Sequence, residues 1–282
     1  HGERYAPGTE LPEAIKLYRA LEDEEKNDTV ADNLMVCLAR CERFQEAHDL
    51  ALARQPGARR DGWLVAMKTC TKGLETALAE SRQIFQDLTT RRAAFLNAAD
   101  VLVNYRRYAE ASRLLNEGAS GNDKMAQIRA RADLMAKTTR YETRVIDPKD
   151  PRAPIIRLLQ LTGYRHPKPE QILECYSEAQ RAGLKPEAGL EAMKELRSAF
   201  TKQGVAPEVA SDLALSLSEF SLDGDADTGY RVKATLFESA TATFLITEQK
   251  GTYRIAGTTG DLVTIGREVL WQTDHDNLKA AR

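Results

Sequence analysis

The sequence predicts a mainly α-helical chain: an array of antiparallel helix hairpins, further helices, a small antiparallel β-meander and a terminal helical half-repeat. Three observations carry that prediction. Alanines recur at Ala47, Ala79 and Ala111, spaced by 32 residues, each in a segment patterned as the second helix of a hairpin. Segments between 147 and 204 open at Pro and close at Gly, the asymmetry of helix ends. Beyond residue 222, β-branched and aromatic residues take over with partial alternation.

The hairpins occupy residues 1–146. Sixteen residues before each alanine stand Ala31, Trp63 and Phe95. Leu34, Ala66 and Ala98 lie thirteen before, Met35, Met67 and Ala99 twelve before, and Leu38, Cys70 and Leu102 nine before. Offsets of 3, 4 and 7 within each first helix place these side chains on one face, and the alanine of the second helix lets the pair approach closely. LPEAIKLYRAL adds an earlier second helix, with Ala14 lying 33 residues before Ala47.

This pattern resembles the tetratricopeptide repeats: an aromatic, a Leu-small pair and a large apolar residue in the first helix, then an alanine and a Phe-like residue in the second. The best copy carries Phe95, Ala98, Ala99, Leu102, Tyr108, Ala111, Leu115 and Gly118 in matching places. The resemblance covers residues 10–145 and departs at Met35 and Met67, where a small residue is usual, and at Gln83, where an aromatic is. It implies a right-handed helical solenoid whose first helices line a concave, ligand-binding channel. An ordinary amphipathic helical bundle has similar periodicity, so both architectures remain open here.

Asp147-Pro148-Lys149-Asp150-Pro151 ends the array, because proline cannot sit inside a helix. A helical connector over 147–222 follows, with helices at PRAPIIRLLQLTG, 169–183, 186–204 and APEVASDLALSLSEF. A three-stranded antiparallel sheet is expected over 223–258, from YRVKATLF, ATATFLITEQ and TYRIAG, with Gln249-Lys250-Gly251 as a hairpin connection. Tyr230, Val232, Ala234 and Leu236 fall on one face, and Phe244 and Ile246 on another. Helices followed by such a meander loosely resemble the nuclear-transport-factor-2-like α+β domains over 165–258; a sheet simply capping the helices is the alternative. The half-repeat over 259–282 stops inside its second helix, which together with the missing initiator Met suggests a piece of a longer repeat protein.

Composition narrows the function. Forty Lys and Arg against 42 Asp and Glu give a net charge of −2, without the basic excess of a nucleic-acid binder. No apolar run approaches the roughly 18 residues of a membrane span. Four cysteines with one close pair, Cys37-x3-Cys41, read as packing residues, and a reducing, cytoplasmic setting is the default expectation. Asp223, Asp225 and Asp227 alternate as in a calcium loop. Thr228 and Ala234 stand where that loop needs glycine and glutamate, so a solvated acidic turn is expected. No metal site and no cofactor is expected. The four histidines sit in no recognisable motif, and GxSxG, Walker A, GxGxxG and HExxH are absent, so no catalytic residues are assigned.

The expected function is therefore non-catalytic binding of a protein or peptide. On the resemblance, the exposed faces of the first helices supply Arg40, Lys68, Lys72, Asn97, Asp100, Asn104 and Arg129. Asn97, Asp100 and Asn104, spaced 3 and 4 apart, form one polar stripe suited to a peptide backbone. The family's clamp for a chain-terminal carboxylate is matched at Asn97 and Arg129 alone. Residues 28–146 carry a net +4 and residues 205–282 a net −5, an asymmetry that points the two regions toward different partners or toward each other. Two alternatives stand beside this reading. One is a small-molecule pocket in the α+β segment lined by Tyr230, Leu236, Phe244, Ile246 and Tyr253. The other is a regulatory part of a larger multidomain bacterial enzyme.

Overall fold

The computed structural model describes residues 10–259, apart from 26, 123–124, 165–166, most of 186–205 and 237–239. Most of the helix expected over 186–204, and the half-repeat expected over 259–282 beyond Thr259, lie outside the described residues. The molecule is mainly helical, with twelve helices and one four-stranded antiparallel sheet among the described residues. The chain divides into two compact units at Ala136/Lys137.

Unit 1 consists of α1 (Glu10–Glu25), α2 (Asp28–Arg40), α3 (Phe44–Leu52), α4 (Ala58–Lys72), α5 (Leu74–Ile84), α6 (Leu88–Asn104), α7 (Tyr108–Ala119) and α8 (Ala126–Lys137). Helix starts follow capping chemistry: Asn27 accepts the Thr29 N–H at 2.8 Å, and Asp87 accepts the Thr90 N–H at 2.7 Å. Each of α1 to α4 packs against the helix that follows it, α6 packs against α7, and α4 and α6 lie directly against each other. The aligned first-helix positions are buried from Ala31, Trp63 and Phe95 through Leu38 and Leu102; Cys70 alone is half-buried.

The α2–α3 and α6–α7 turns have the same construction 64 residues apart. Glu42 and Arg106 both take the left-handed conformation, φ 58°. Arg43 N–H donates to the Leu38 carbonyl and Arg107 N–H to the Leu102 carbonyl, each at 2.9 Å. Arg43 then pairs with Glu46, and Arg107 with Glu110, each at 2.5 Å. The middle hairpin differs: the single residue Gly73, φ 84°, replaces a three-residue connection. Deleting two residues moves the second helix back in sequence, so Ala77 takes the place of Ala47 and Ala111. All three are fully buried, whereas Ala79, the residue the 32-residue spacing selects, is exposed.

Ion pairs tie non-consecutive helices of unit 1 together. Arg19 of α1 meets Glu46 of α3 at 2.5 Å, Asp32 of α2 meets Arg59 of α4 at 2.5 Å, and Arg82 of α5 meets Glu117 of α7 at 2.9 Å. Tyr105 joins the first helices across a longer interval: its hydroxyl donates to the Val36 carbonyl of α2 at 3.2 Å, and its ring meets Trp63 edge-on at 6.4 Å.

Unit 2 begins earlier than the Asp147–Pro151 punctuation suggests, because side chains of its own core hold residues 139–144. Asp212 accepts the Tyr141 N–H at 2.6 Å, Ser216 accepts the Thr139 N–H at 2.9 Å, and the Gln160 amide donates to the Tyr141 carbonyl at 2.8 Å. A 3-10 turn (Tyr141–Thr143) leads to α9 (Ala153–Gly163), α10 (Pro169–Leu173), α11 (Glu178–Arg181) and α12 (Pro207–Ser216). Helix α9 is buried over nearly its whole length and packs on both α12 and the sheet.

The sheet contains β1 (Glu219–Asp225), β2 (Gly229–Leu236), β3 (Ala240–Gln249) and β4 (Thr252–Thr258), antiparallel in sequence order. It is one strand larger than expected. EFSLDGD pairs with β2 from Glu219↔Thr235 to Asp225↔Gly229, so α12 ends at Ser216 and the strand region starts before residue 223. The register sets Val232 opposite Phe244 and Tyr230 opposite Ile246, which corrects the expected assignment of these residues to different faces. Val232, Ala234, Ala242, Phe244, Ile246 and Ile255 share one core with α9.

The single helix expected over 169–183 is two short helices. Between them the Ser177 N–H donates to the Ile255 carbonyl at 2.8 Å, and the Ile255 N–H donates to the Cys175 carbonyl at 2.9 Å. This parallel bridge along β4 satisfies backbone groups on the sheet edge, a gain that competes with continued helix.

Candidate functional site

The polar stripe of α6 is engaged within unit 1. Asn97 is half-buried beside Gly62 of α4, and its amide donates to the Ala93 carbonyl at 2.8 Å. Asp100 pairs with Arg131 of α8, and the Asn104 amide donates to the Asp100 carbonyl at 3.2 Å. Lys68 and Lys72 converge on Glu80 of α5, at 2.5 and 3.5 Å. Arg129 donates to the Asn122 carbonyl at 2.9 Å, tying down the chain beyond α7. Arg40 is exposed at the end of α2. Lys68, Lys72, Asn97, Asp100, Asn104 and Arg129 thus serve contacts within unit 1.

An open concavity of unit 1 lies between α1, α2 and α3 and measures about 360 Å³. Leu34 and Leu38 of α2 and Leu50 of α3 give it an apolar floor. Arg19, Glu22 and Asp23 form the α1 wall, and Glu46 and Asp49 the α3 wall. Arg19 reaches across to Glu46, which also holds Arg43; these two guanidiniums, Arg43 first, keep the Glu46 carboxyl below the usual carboxylate range. Glu22 accepts from Arg54 at 2.6 Å through Oε1, while its Oε2 is buried with no hydrogen-bond donor. Asp23 and Asp49 are exposed at the rim. Sequence reading missed this groove because its walls come from second helices, α1 and α3, which the repeat pattern marks as backing. The cluster of acids at Glu22, Asp23, Glu46 and Asp49 was the available signal.

In unit 2, Phe244 and Ile246 are buried in the sheet core. Leu236 lies in β2 opposite Ala240, and its side chain is outside the description. Tyr230 and Tyr253 meet edge-to-face at 5.5 Å. Together with Ile246, Asp227, Arg231 and Glu248 they line a cleft of about 470 Å³ at the β1–β2 turn. Hydrogen bonding to Tyr230 raises the Tyr253 hydroxyl above its ordinary value. The turn itself is closed by Asp225, which accepts from the N–H groups of Asp227 at 3.0 Å and Thr228 at 2.8 Å; the Thr228 bond foremost holds this carboxyl below its usual range.

Among the described residues, no group of three or more His, Cys, Asp or Glu side chains is placed to hold a metal ion. No described helix is long and apolar enough to cross a membrane. Comparison with family models, curated proteins and solved structures finds no match to this chain.

Proposed function

We propose that the chain is a non-catalytic scaffold that binds a segment of another protein on a tetratricopeptide-like solenoid formed by unit 1. The observation that carries this reading is the recurrence of one hairpin turn, with the same left-handed residue, backbone bond and Arg–Glu pair, at Leu38–Glu46 and Leu102–Glu110. Repetition of a turn at 64 residues is the mark of stacked units that bury a continuous core and leave a layer of helices for ligands. Photo-cross-linking of the purified chain in a cell lysate, followed by peptide mapping, tests it. The expected result is a retained protein whose cross-links fall on α1–α8. Cross-links confined to residues 137–259, or no retained protein at all, would overturn the scaffold reading.

A second reading rests on the cleft beside Tyr230, Ile246 and Tyr253, where two hydroxyls, a guanidinium and an apolar wall suit a small polar molecule. Thermal-shift screening of metabolites against wild type and Tyr253→Ala distinguishes it. A stabilising compound that loses its effect in the variant supports the cleft; no stabilising compound removes this reading.

A further inference from the structure

We infer that the groove between α1, α2 and α3 docks a lysine- or arginine-rich segment of a partner protein, which inserts an aliphatic side chain onto the Leu34–Leu38–Leu50 floor. The inference rests on the scaffold reading and specifies its partner chemistry. An open groove of about 360 Å³ lies at the small end of ligand sites, room for a side chain or two. Its floor is apolar, so an inserted aliphatic group exchanges water for carbon on both sides.

Charge selects what flanks that group. Four carboxylates line the groove against the single guanidinium of Arg19. Glu46 is already matched by Arg19 and Arg43, and one oxygen of Glu22 by Arg54. What remains is Asp23 on one rim, Asp49 on the other, whose Oδ1 takes only the neutral Gln45 amide at 2.8 Å and the His48 ring at 3.3 Å, and the buried Oε2 of Glu22, which lacks a donor. Arg19 demonstrates the fit of a guanidinium between these walls, since it spans from α1 to Glu46 of α3 at 2.5 Å. A basic segment completes the same pattern from outside, whereas an acidic one meets like charge.

The test uses fluorescein-labelled 16-residue peptides of one amphipathic pattern, built either from Leu and Lys or from Leu and Glu. Fluorescence anisotropy with the full chain is expected to show saturable binding of the Leu/Lys peptide alone, weakening as salt rises. The double variant Asp23→Lys, Asp49→Lys should raise its Kd at least tenfold, and Leu50→Glu should do the same. Both substituted acids are exposed, so the double variant retains the wild-type melt even if Leu50→Glu does not. Absence of Leu/Lys binding, or equal binding by the double variant, overturns the groove assignment. The photo-cross-linking experiment separates the two readings. A lysate protein cross-linked to α1–α8 equally well in the double variant leaves the scaffold standing without this groove.

Discussion

Gly62 of α4 faces Asn97 of α6 so closely that a Cβ on Gly62 would fall 2.4 Å from the Asn97 Cβ and 2.9 Å from its carbonyl carbon. The two first helices therefore meet backbone to side-chain root. Gly62→Ala should lower the melting temperature by several degrees. Alanine gains about 1 kcal/mol of helix propensity over glycine, but overpacking a close contact costs about 1–3 kcal/mol, and here backbone lies among the clashing atoms. A melt equal to or above that of wild type would show that α4 and α6 can separate without loss.

Ala77 and Ala79 provide a direct test of the shortened middle hairpin. Ala77→Leu should destabilise by about 1–3 kcal/mol, because the site is fully enclosed. Ala79→Leu should stay within about 0.5 kcal/mol of wild type, as exposed substitutions do. Urea unfolding of both variants decides, and the reverse order would restore the uniform 32-residue frame.

Ser177 serves the sheet through its backbone and α11 through its hydroxyl, which accepts the Gln180 N–H at 3.3 Å. Ser177→Ala removes the cap alone and should cost about 1 kcal/mol. Ser177→Pro also deletes the N–H donated to Ile255 and leaves a buried carbonyl unmatched, a further loss of about 1–3 kcal/mol. Chemical denaturation gives both values; equal losses would mean that the parallel bridge contributes nothing.

Burial holds the Asp61 carboxyl above its ordinary value of 3.8, against the opposing pull of Arg60. A raised folded value means that the native state keeps this proton more tightly than the unfolded chain does. Wild type therefore gains stability as pH falls from the folded value to 3.8, while Asp61→Asn does not titrate. Urea melts between about pH 7 and about pH 3.5 should show the stability difference moving toward wild type on acidification. A constant difference, or movement toward the variant, contradicts this assignment.

Cys175 is enclosed in the sheet core, and burial pushes its thiol up to about 12. It should resist iodoacetamide in the native protein and react fully in urea, whereas half-buried Cys41 should react under both conditions. Peptide mapping by mass spectrometry reads each site separately. Native modification of Cys175 would show that the packing of α10 against α9 opens readily.

The hairpin array was largely legible because each first helix repeats its apolar positions at a constant interval, from Ala31, Trp63 and Phe95 to Leu38 and Leu102. The second helices were less so: Gly73 removes two loop residues, and a spacing count cannot see that Ala77 has replaced Ala79. The strand at Glu219–Asp225 was hidden by its Asp and Gly content, which reads as turn until β2 supplies a partner. The polar stripe at Asn97, Asp100 and Asn104 was visible, but its engagement with Ala93 and Arg131 was not, since Arg131 lies on another helix.

By itself the sequence determined the mainly helical character of the chain, the hairpins of unit 1 and three strands of the sheet, because periodicity and chain-terminating residues act locally. Tertiary structure alone decided where unit 2 begins, why 169–183 breaks at Cys175–Ser177, and how α1, α2 and α3 enclose a groove. Those outcomes depend on groups far apart in the chain: Asp212 holding the Tyr141 backbone, Ile255 pairing with Cys175 and Ser177, and Arg19 reaching Glu46 across the groove. Each satisfies a donor, acceptor or charge that local pattern leaves unmatched, and only packing brings its partner within reach.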